Sequence, residues 1–472
     1  MNAISPKPST QIPWLLAAWI ALPLPAAALS PDETRHLLDR TAFGAHPEML
    51  ADFAPLDRTG AVERILAVTP GTPPRPAWVD DRPFPDRTLL ADLPETERLA
   101  ARQAQNKQRT EHQRALQDGW MQWMLVTEAP LVERMTLFWH NHFTSQLRTV
   151  SSPQLMWRQH DLLRRHALGN YADLLRAIVT DPAMLIYLDG RQNRKDRPNE
   201  NFARELLELF TLGEGHYTEA DVKAAARALS GWKLHPTSGT ARFDPRRHDD
   251  GVKTFLGRTG PWGADDIVAI LLEQPRAADW VVEKLWIEFI SPQPDPAEVS
   301  RLAAVFRDSG YEIRPLLHAL LTSDAFWADA HRGTLIKSPI EIVVGTVRRF
   351  DLPDPNPRRL VTLGTEMGQT LFEPPDVKGW PGQTDWIDTD RLLARERFLR
   401  SITRDLADRS AGTGRAWSAL DAATATHLLW PVSDPAPATA AAPQPPEDPP
   451  HAEADTRVEL IAAILDPRYQ LK

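Results

Sequence analysis

The 472-residue chain contains no cysteine. Disulfides, thiolate nucleophiles, a lipid-modified cysteine and every sulfur-ligated metal centre are therefore excluded, and any metal would have to be held by His, Asp, Glu or Asn. Glycine is scarce for a loop-rich all-β protein, 23 residues against 43 prolines and 16 tryptophans. Those proportions fit helices joined by proline-stopped turns. Beyond the N-terminal segment, no apolar run is long enough to cross a bilayer. Positive charge is not in excess: 54 Lys and Arg against 63 Asp and Glu leave a net charge of −9. Bulk electrostatics thus give no reason to expect nucleic acid or an anionic membrane as partner. The sequence also lacks G-x-S-x-G, H-E-x-x-H, G-x-G-x-x-G and a phosphate-binding glycine loop. The common hydrolase, zinc-protease, dinucleotide and kinase readings have no support.

What is present, 42% hydrophobic and 25% charged residues, is the mixture of a folded, water-soluble body. Lys7, the apolar run Ile12 to Leu22, Pro23, Pro25 and the small residues Ala26 to Ala28 have the order of a secretory signal. Residues 1–28 are read as a signal peptide of the Sec type, and the mature protein is expected to be periplasmic or secreted, with no stable membrane span. An N-terminal anchor is the alternative; Pro13, Pro23, Pro25 and the short run disfavour it.

Apolar residues recur at spacings of three and four in Asp118 to Val126, Leu131 to Phe143, Glu200 to Phe210, Glu219 to Leu229, Asp265 to Leu272 and Ile340 to Phe350, and no comparable strand alternation appears. The fold class expected is all-α, a single large irregular multi-helix body over residues 29–430. Residues 92–117 read as a polar helical arm and 431–452 as a Pro/Ala-rich linker. In residues 453–472 the helix Val458 to Leu465 is expected to pack back on the body, because its apolar face would otherwise be left in water. One local pattern recurs: Leu174 to Met184, Leu316 to Phe326 and, one residue shorter, Leu460 to Tyr469 each read as a buried helix, a small polar or proline turn, and a large apolar plug.

Several polar clusters are candidates for chemistry. On a regular helix His142 shares a face with Leu131, Met135, Phe138 and Trp139, whereas His140 lies opposite with Glu133 and Thr136, so the two imidazoles point apart. His142 is either a core histidine bonded to a carbonyl or a neutral ligand or acid/base. In Asn199 to Gly213, Glu200, Arg204 and Glu208 fit a solvated ion-pair ladder, while Glu205 and Glu208, three apart, fit paired carboxylates for a metal or proton transfer. Asp189 to Glu200 mimics a calcium loop but has Arg194 where glycine is required, with Arg191, Lys195 and Arg197 as poor company for a cation. His248-Asp249-Asp250-Gly251 with Lys253 reads as a loop of ordinary turn chemistry or as an acid/base pair. The segment from Glu373 to Gly382, followed by Trp386, reads as a stacking surface or as a loop pinned to the core by tryptophan.

Leu37 to Gly44, Phe138-Trp139-His140-Asn141-His142-Phe143, Asn199 to Gly213, Tyr217 to Val222, Ala226 to Trp232, His248 to Gly257, Lys337-Ser338-Pro339 and Pro374 to Gly382 together resemble the bacterial exported proteins grouped as domain of unknown function family 1800. The resemblance runs from about residue 34 to the C-terminus. It implies a mainly helical exported protein, often encoded beside a second exported family of unknown function, and it implies no activity. Two functions remain. One is a periplasmic metal-dependent enzyme with a divalent ion among His140, His142, Glu205, Glu208 and His248, with Arg204 or Lys253 orienting an anionic group of the substrate. The other is a non-catalytic binding or scaffold protein for a co-exported partner protein or a glycan, its polar groups forming structural networks.

Overall fold

The computed structural model describes residues 27–44, 47–84, 93–352, 355–410 and 462–472. The signal segment up to Ala26, the linker Pro431 to Pro450, and Val458 to Ile461 lie outside the described residues. The described chain is mainly α-helical, and its only sheets are two small antiparallel pairs, Trp232–Leu234 with Ala241–Phe243 and Lys253–Phe255 with Arg258–Gly260. The polar stretch after Pro94 belongs to a 32-residue helix, Glu95–Val126, exposed through most of its first half and buried from Leu116 onward through Trp120, Met121 and Met124.

The recurring pattern has one physical form in all three places. Tyr171–Val179 is followed by Pro182–Tyr187, Ile313–Leu321 by Asp324–Trp327, and the helical turn at residues 462–465 by Pro467–Gln470. In each, a side chain at the break caps the second helix: Asp181 accepts from the Met184 amide, Ser323 from that of Phe326, and Asp466 from that of Arg468. The cap satisfies an otherwise unpaired amide and turns the chain sharply. That turn drives a large side chain inward, and Met184, Phe326 and Tyr469 are all buried.

Two hydrophobic clusters result. The larger gathers helices Tyr171–Val179, Ala264–Leu272, Pro275–Phe289, Pro296–Asp308 and Ile313–Leu321. The smaller gathers the foot of Glu95–Val126, helix Pro339–Arg349, Trp380, Trp386 and the C-terminal residues Ala463, Ile464 and Tyr469. Residues 335–337 and 470–472 pair through backbone bonds: Lys472 donates to Leu335 (2.8 Å), and Leu335 and Lys337 donate to Lys472 (3.2 Å) and Gln470 (2.8 Å).

Charged groups fill the seam between the clusters. Arg134 pairs with Glu341 and, at 2.5 Å, with Glu288; Lys472 pairs with the same two carboxylates. Asp39 pairs with Arg349 and, at 3.7 Å, with Lys337. Arg40, fully buried, donates to the carbonyls of Phe289 and Ile290 (each 2.5 Å) and of Lys472 (3.1 Å). The chain just beyond helix Pro31–Thr41 lies directly against helix Pro339–Arg349, where a Cβ at Gly345 would collide with the Phe43 carbonyl.

Arg134→Met leaves Glu341 and Glu288 to share Lys472 and should cost about 3–5 kcal/mol in urea denaturation. Arg301→Ala, which removes an exposed pair with Glu298, should cost about 1 kcal/mol or less. Burial raises the Asp181 carboxyl to about 7, from an ordinary 3.8. Between those values the folded chain keeps a proton that the unfolded chain has released, so this group's stabilisation is complete below about pH 4 and is lost as pH rises to about 7. Replacing it by Asn should remove that dependence, and the wild-type-minus-variant stability should fall by up to about 1.4 kcal/mol per pH unit across the window.

Candidate functional site

Helix Pro130–His142 runs through the seam and is buried on both faces. The face expected to be polar is sealed rather than solvated: Glu133 accepts from the indole nitrogens of Trp120 and Trp123 (both 3.0 Å) and from Arg164 Nε (2.6 Å). His140 Nε2 lies 3.3 Å from His160 Nδ1, packed against Trp120 and Phe372, and burial pushes its pKa down to about 3. His142 sits on the other side among Phe143, Tyr171 and Phe210.

His142 owes its state to an irregular helix. Asn201–Glu205 is α-helical, but Leu206–Leu212 is a π-helix closed by Gly213 at φ 82°. Its wider turn and its terminus leave carbonyls for side chains. Phe210 O accepts from His142 Nε2 (3.0 Å) and Tyr171 OH (2.7 Å); Leu209 O accepts from Trp280 Nε1 (2.9 Å) and Lys284 Nζ (3.2 Å); Leu212 O accepts from Arg276 Nε (2.9 Å). A carbonyl can only accept, so the proton of neutral His142 is assigned to Nε2. Burial, and then the charge of Lys284, hold the imidazolium form well below its usual range. Nδ1 is thereby left with its lone pair, buried and without a hydrogen-bond partner.

His142 lines a cleft of about 240 Å³ where the two clusters meet, between helices Pro130–His142 and Pro275–Phe289, the start of Pro339–Arg349 and the loop 378–386. Arg134, Glu288, Glu341 and Lys472 form a mutually paired group in its lining. Lys284 also lines it, donating to the Leu209 carbonyl and lying 4.8 Å from the centre of the Trp280 ring. Burial pushes its pKa down to about 8. Phe138, Trp380 and Trp386 supply aromatic surface.

The loop that completes the cleft is locked to the histidine helix. Asn141 Oδ1 accepts from the Trp380 amide (2.6 Å), and Trp380 Nε1 donates to Thr370 O (3.2 Å). Gly379, at φ 95°, permits this approach, because a Cβ there would sit 2.7 Å from the Asn141 carbonyl oxygen. Trp380 and Trp386 are therefore both buried anchors and cleft surface.

The other candidates lie in separate settings. Arg204 grips Glu219 through two bonds (2.6 and 2.8 Å), approaches Glu200 at 3.6 Å, and is raised by the Glu219 bonds. Glu208 does not join that ladder and accepts from Tyr217 OH (2.7 Å). Glu205 is half-buried, its pKa raised by burial and then by Glu208, with Arg204 and then Lys378 opposing the shift in part. His248 Nδ1 lies 3.0 Å from Ser230 O, and Asp249 is held by Arg227 (2.7 and 3.0 Å). Lys253 is buried and donates to the carbonyls of Asp249 (2.5 Å) and Gly251 (2.9 Å), which braces its own loop. Among the described residues no group of three or more His, Asp or Glu is arranged to hold a metal ion. The five donors His140, His142, Glu205, Glu208 and His248 therefore do not converge as a metal centre requires. The physical reason is that the imidazoles of His140 and His142 leave opposite faces of one helix, and His248 is committed to a different loop.

Sequence reasoning missed Lys284. Trp280, Lys284 and Glu288 form a stripe at i, i+4 and i+8 that is indistinguishable in sequence from a solvated helix face. The Lys284 amine is expected to titrate near 8 in the NMR spectrum of reductively ¹³C-methylated protein, with Lys284→Arg identifying its resonance. A midpoint above about 10, the ordinary lysine value, would contradict this environment.

Among the described residues no helix is long and apolar enough to cross a membrane. No curated protein and no solved structure matches the chain. A family model described as protein of unknown function (DUF1800) matches residues 36–471, from the first helix through the C-terminal tail that closes the cleft. With the match spanning nearly the whole chain, the protein belongs to the DUF1800 family of proteins of unknown function.

Proposed function

We propose that this chain is an exported enzyme that performs acid–base chemistry on a small anionic substrate in the His142 cleft. Export rests on the order of charge, apolar run and small residues before Leu29. The observation that carries the enzymatic reading is the buried, unpartnered Nδ1 of His142 beside Lys284 in a cleft with aromatic surface. An orphaned lone pair costs stability unless something meets it. With Nε2 committed to Phe210 O, the ring is oriented, and Nδ1 is the atom able to accept a proton from a substrate hydroxyl or a water.

Burial, and then the charge of Lys284, make His142 a weak base. An anionic group placed against the Lys284 ammonium offsets that charge, so substrate binding itself raises the proton affinity of Nδ1. Base strength is then coupled to occupancy. Trp380 and Trp386 exclude water and offer stacking surface, and the Arg134, Glu288, Glu341 and Lys472 group gives a fixed polar wall.

A second reading, a non-catalytic binding protein for a co-exported partner or glycan, draws on the structural bonding of Arg204, Glu208, His248 and Lys253. Small-molecule pools incubated with the protein and followed by mass spectrometry separate the two. His142→Gln is expected to lower turnover by about 10²–10⁴-fold while leaving the urea midpoint near that of the wild type. Turnover that survives this substitution defeats the catalytic role of His142. Ligand retention in the cleft without turnover favours the second reading.

A further inference from the structure

The loop from Asp189 to Glu200 has the outline of a cation loop and the opposite charge. It is firmly built: Asn193, 1% exposed, donates to Ala226 O (2.7 Å) and accepts from the Asn199 amide (3.0 Å), while the Gly231 amide donates to Asn193 O (3.2 Å). A second loop, Asp244 to His248, is tied alongside. Lys195 N donates to Arg247 O (2.8 Å), and Arg247 Nη2 donates to Arg191 O (3.0 Å).

Between the two loops lies a groove of about 600 Å³ lined by Arg191, Arg194, Arg197 and Arg247, with Glu200 as its one carboxylate. Asp196 pairs with Arg194 (3.2 Å), and Glu200 leans away to Arg204. Among the described residues no carboxylate is paired with Arg191, Arg197 or Arg247. The Nε of Arg247 is buried with no hydrogen-bond partner. In a chain of net charge −9, guanidinium groups crowded into one braced groove repel one another, and the Arg247 bond that ties the loops does not remove that repulsion. Their cost is offset when an anion lies among them.

We propose that this groove is a second ligand site, separate from the His142 cleft, which binds a ligand through phosphate groups. Guanidinium presents paired donors in a planar fork that matches phosphate oxygens. With Arg194 paired to Asp196 and Glu200 turned to Arg204, the guanidiniums of Arg191, Arg197 and Arg247 leave three positive charges in excess, and a phosphate monoester carries about −1.5 to −2. Two phosphate groups therefore match the groove in charge. A soluble polyphosphorylated compound and a phosphate-bearing lipid headgroup offer the same chemistry.

The test uses full-length protein with two probes: inorganic tripolyphosphate by titration calorimetry, and phosphatidylcholine vesicles with and without phosphatidic acid by co-sedimentation. Arg191 and Arg197 are exposed and make no side-chain bond needed by the fold, so Arg191→Gln/Arg197→Gln is the variant, its folding checked by circular dichroism; Arg301→Gln on a distant helix is the control. Binding of either probe that weakens at least tenfold in the double variant and is unchanged in the control is expected. Tripolyphosphate binding alone assigns a soluble ligand, and vesicle binding that requires phosphatidic acid assigns a headgroup. Failure to bind both probes at low salt, or an equal loss in Arg301→Gln, overturns the proposal.

Discussion

The buried pairing of Arg134 and Lys472 with Glu288 and Glu341 is the constraint on which the arrangement depends. Taking such charges out of water costs several kcal/mol per ion, and the cost is repaid only when every partner is in place. The four residues come from helices Pro130–His142, Pro275–Phe289 and Pro339–Arg349 and from the last residue of the chain. Satisfying them brings segments more than 300 residues apart in sequence into one register. Hydrophobic burial tolerates sliding; a set of paired ions does not.

The same seam explains why the cleft lies there. Two apolar clusters that met through side chains of their own kind would close completely. Met instead through ions, aromatic side chains and an irregular helix, they leave a space that packing does not fill. The π-helix Leu206–Leu212 contributes by presenting carbonyls sideways, and five side chains from three other helices bond to them. One of those bonds sets the tautomer of His142. A local irregularity in backbone bonding thereby becomes a statement about proton chemistry 68 residues away in sequence.

Much of the local structure was readable in advance because it rests on short-range chemistry. The thrice-used break with Asp181, Ser323 and Asp466 is a cap followed by a plug, and each part lies within a few residues of the next. The burial of His142 followed from its apolar helix face. The burial of Glu133 and His140 did not, since a polar face reads as solvated unless its distant partners, Arg164, His160 and two tryptophans, are known. The proposed ladder through Glu208 failed for a related reason: the helix changes from α to π at Leu206, which moves the faces, and Arg204 finds Glu219 on the following helix.

The sequence by itself determined the helical class, the recurring turn-and-plug breaks and the family, because composition, spacing of three and four, and contiguous motifs are local properties. It also set His142, Asn141, Gly379 and Trp380 within unusual polar and aromatic motifs. Only the tertiary structure decided that His142 faces Lys284 rather than Glu205 or His248, that Asn141 holds the Trp380 loop, and that four arginines share one groove. Those facts depend on contacts between residues tens to hundreds of positions apart. Helical periodicity assigns a side chain to a face, and long-range packing alone decides what that face meets.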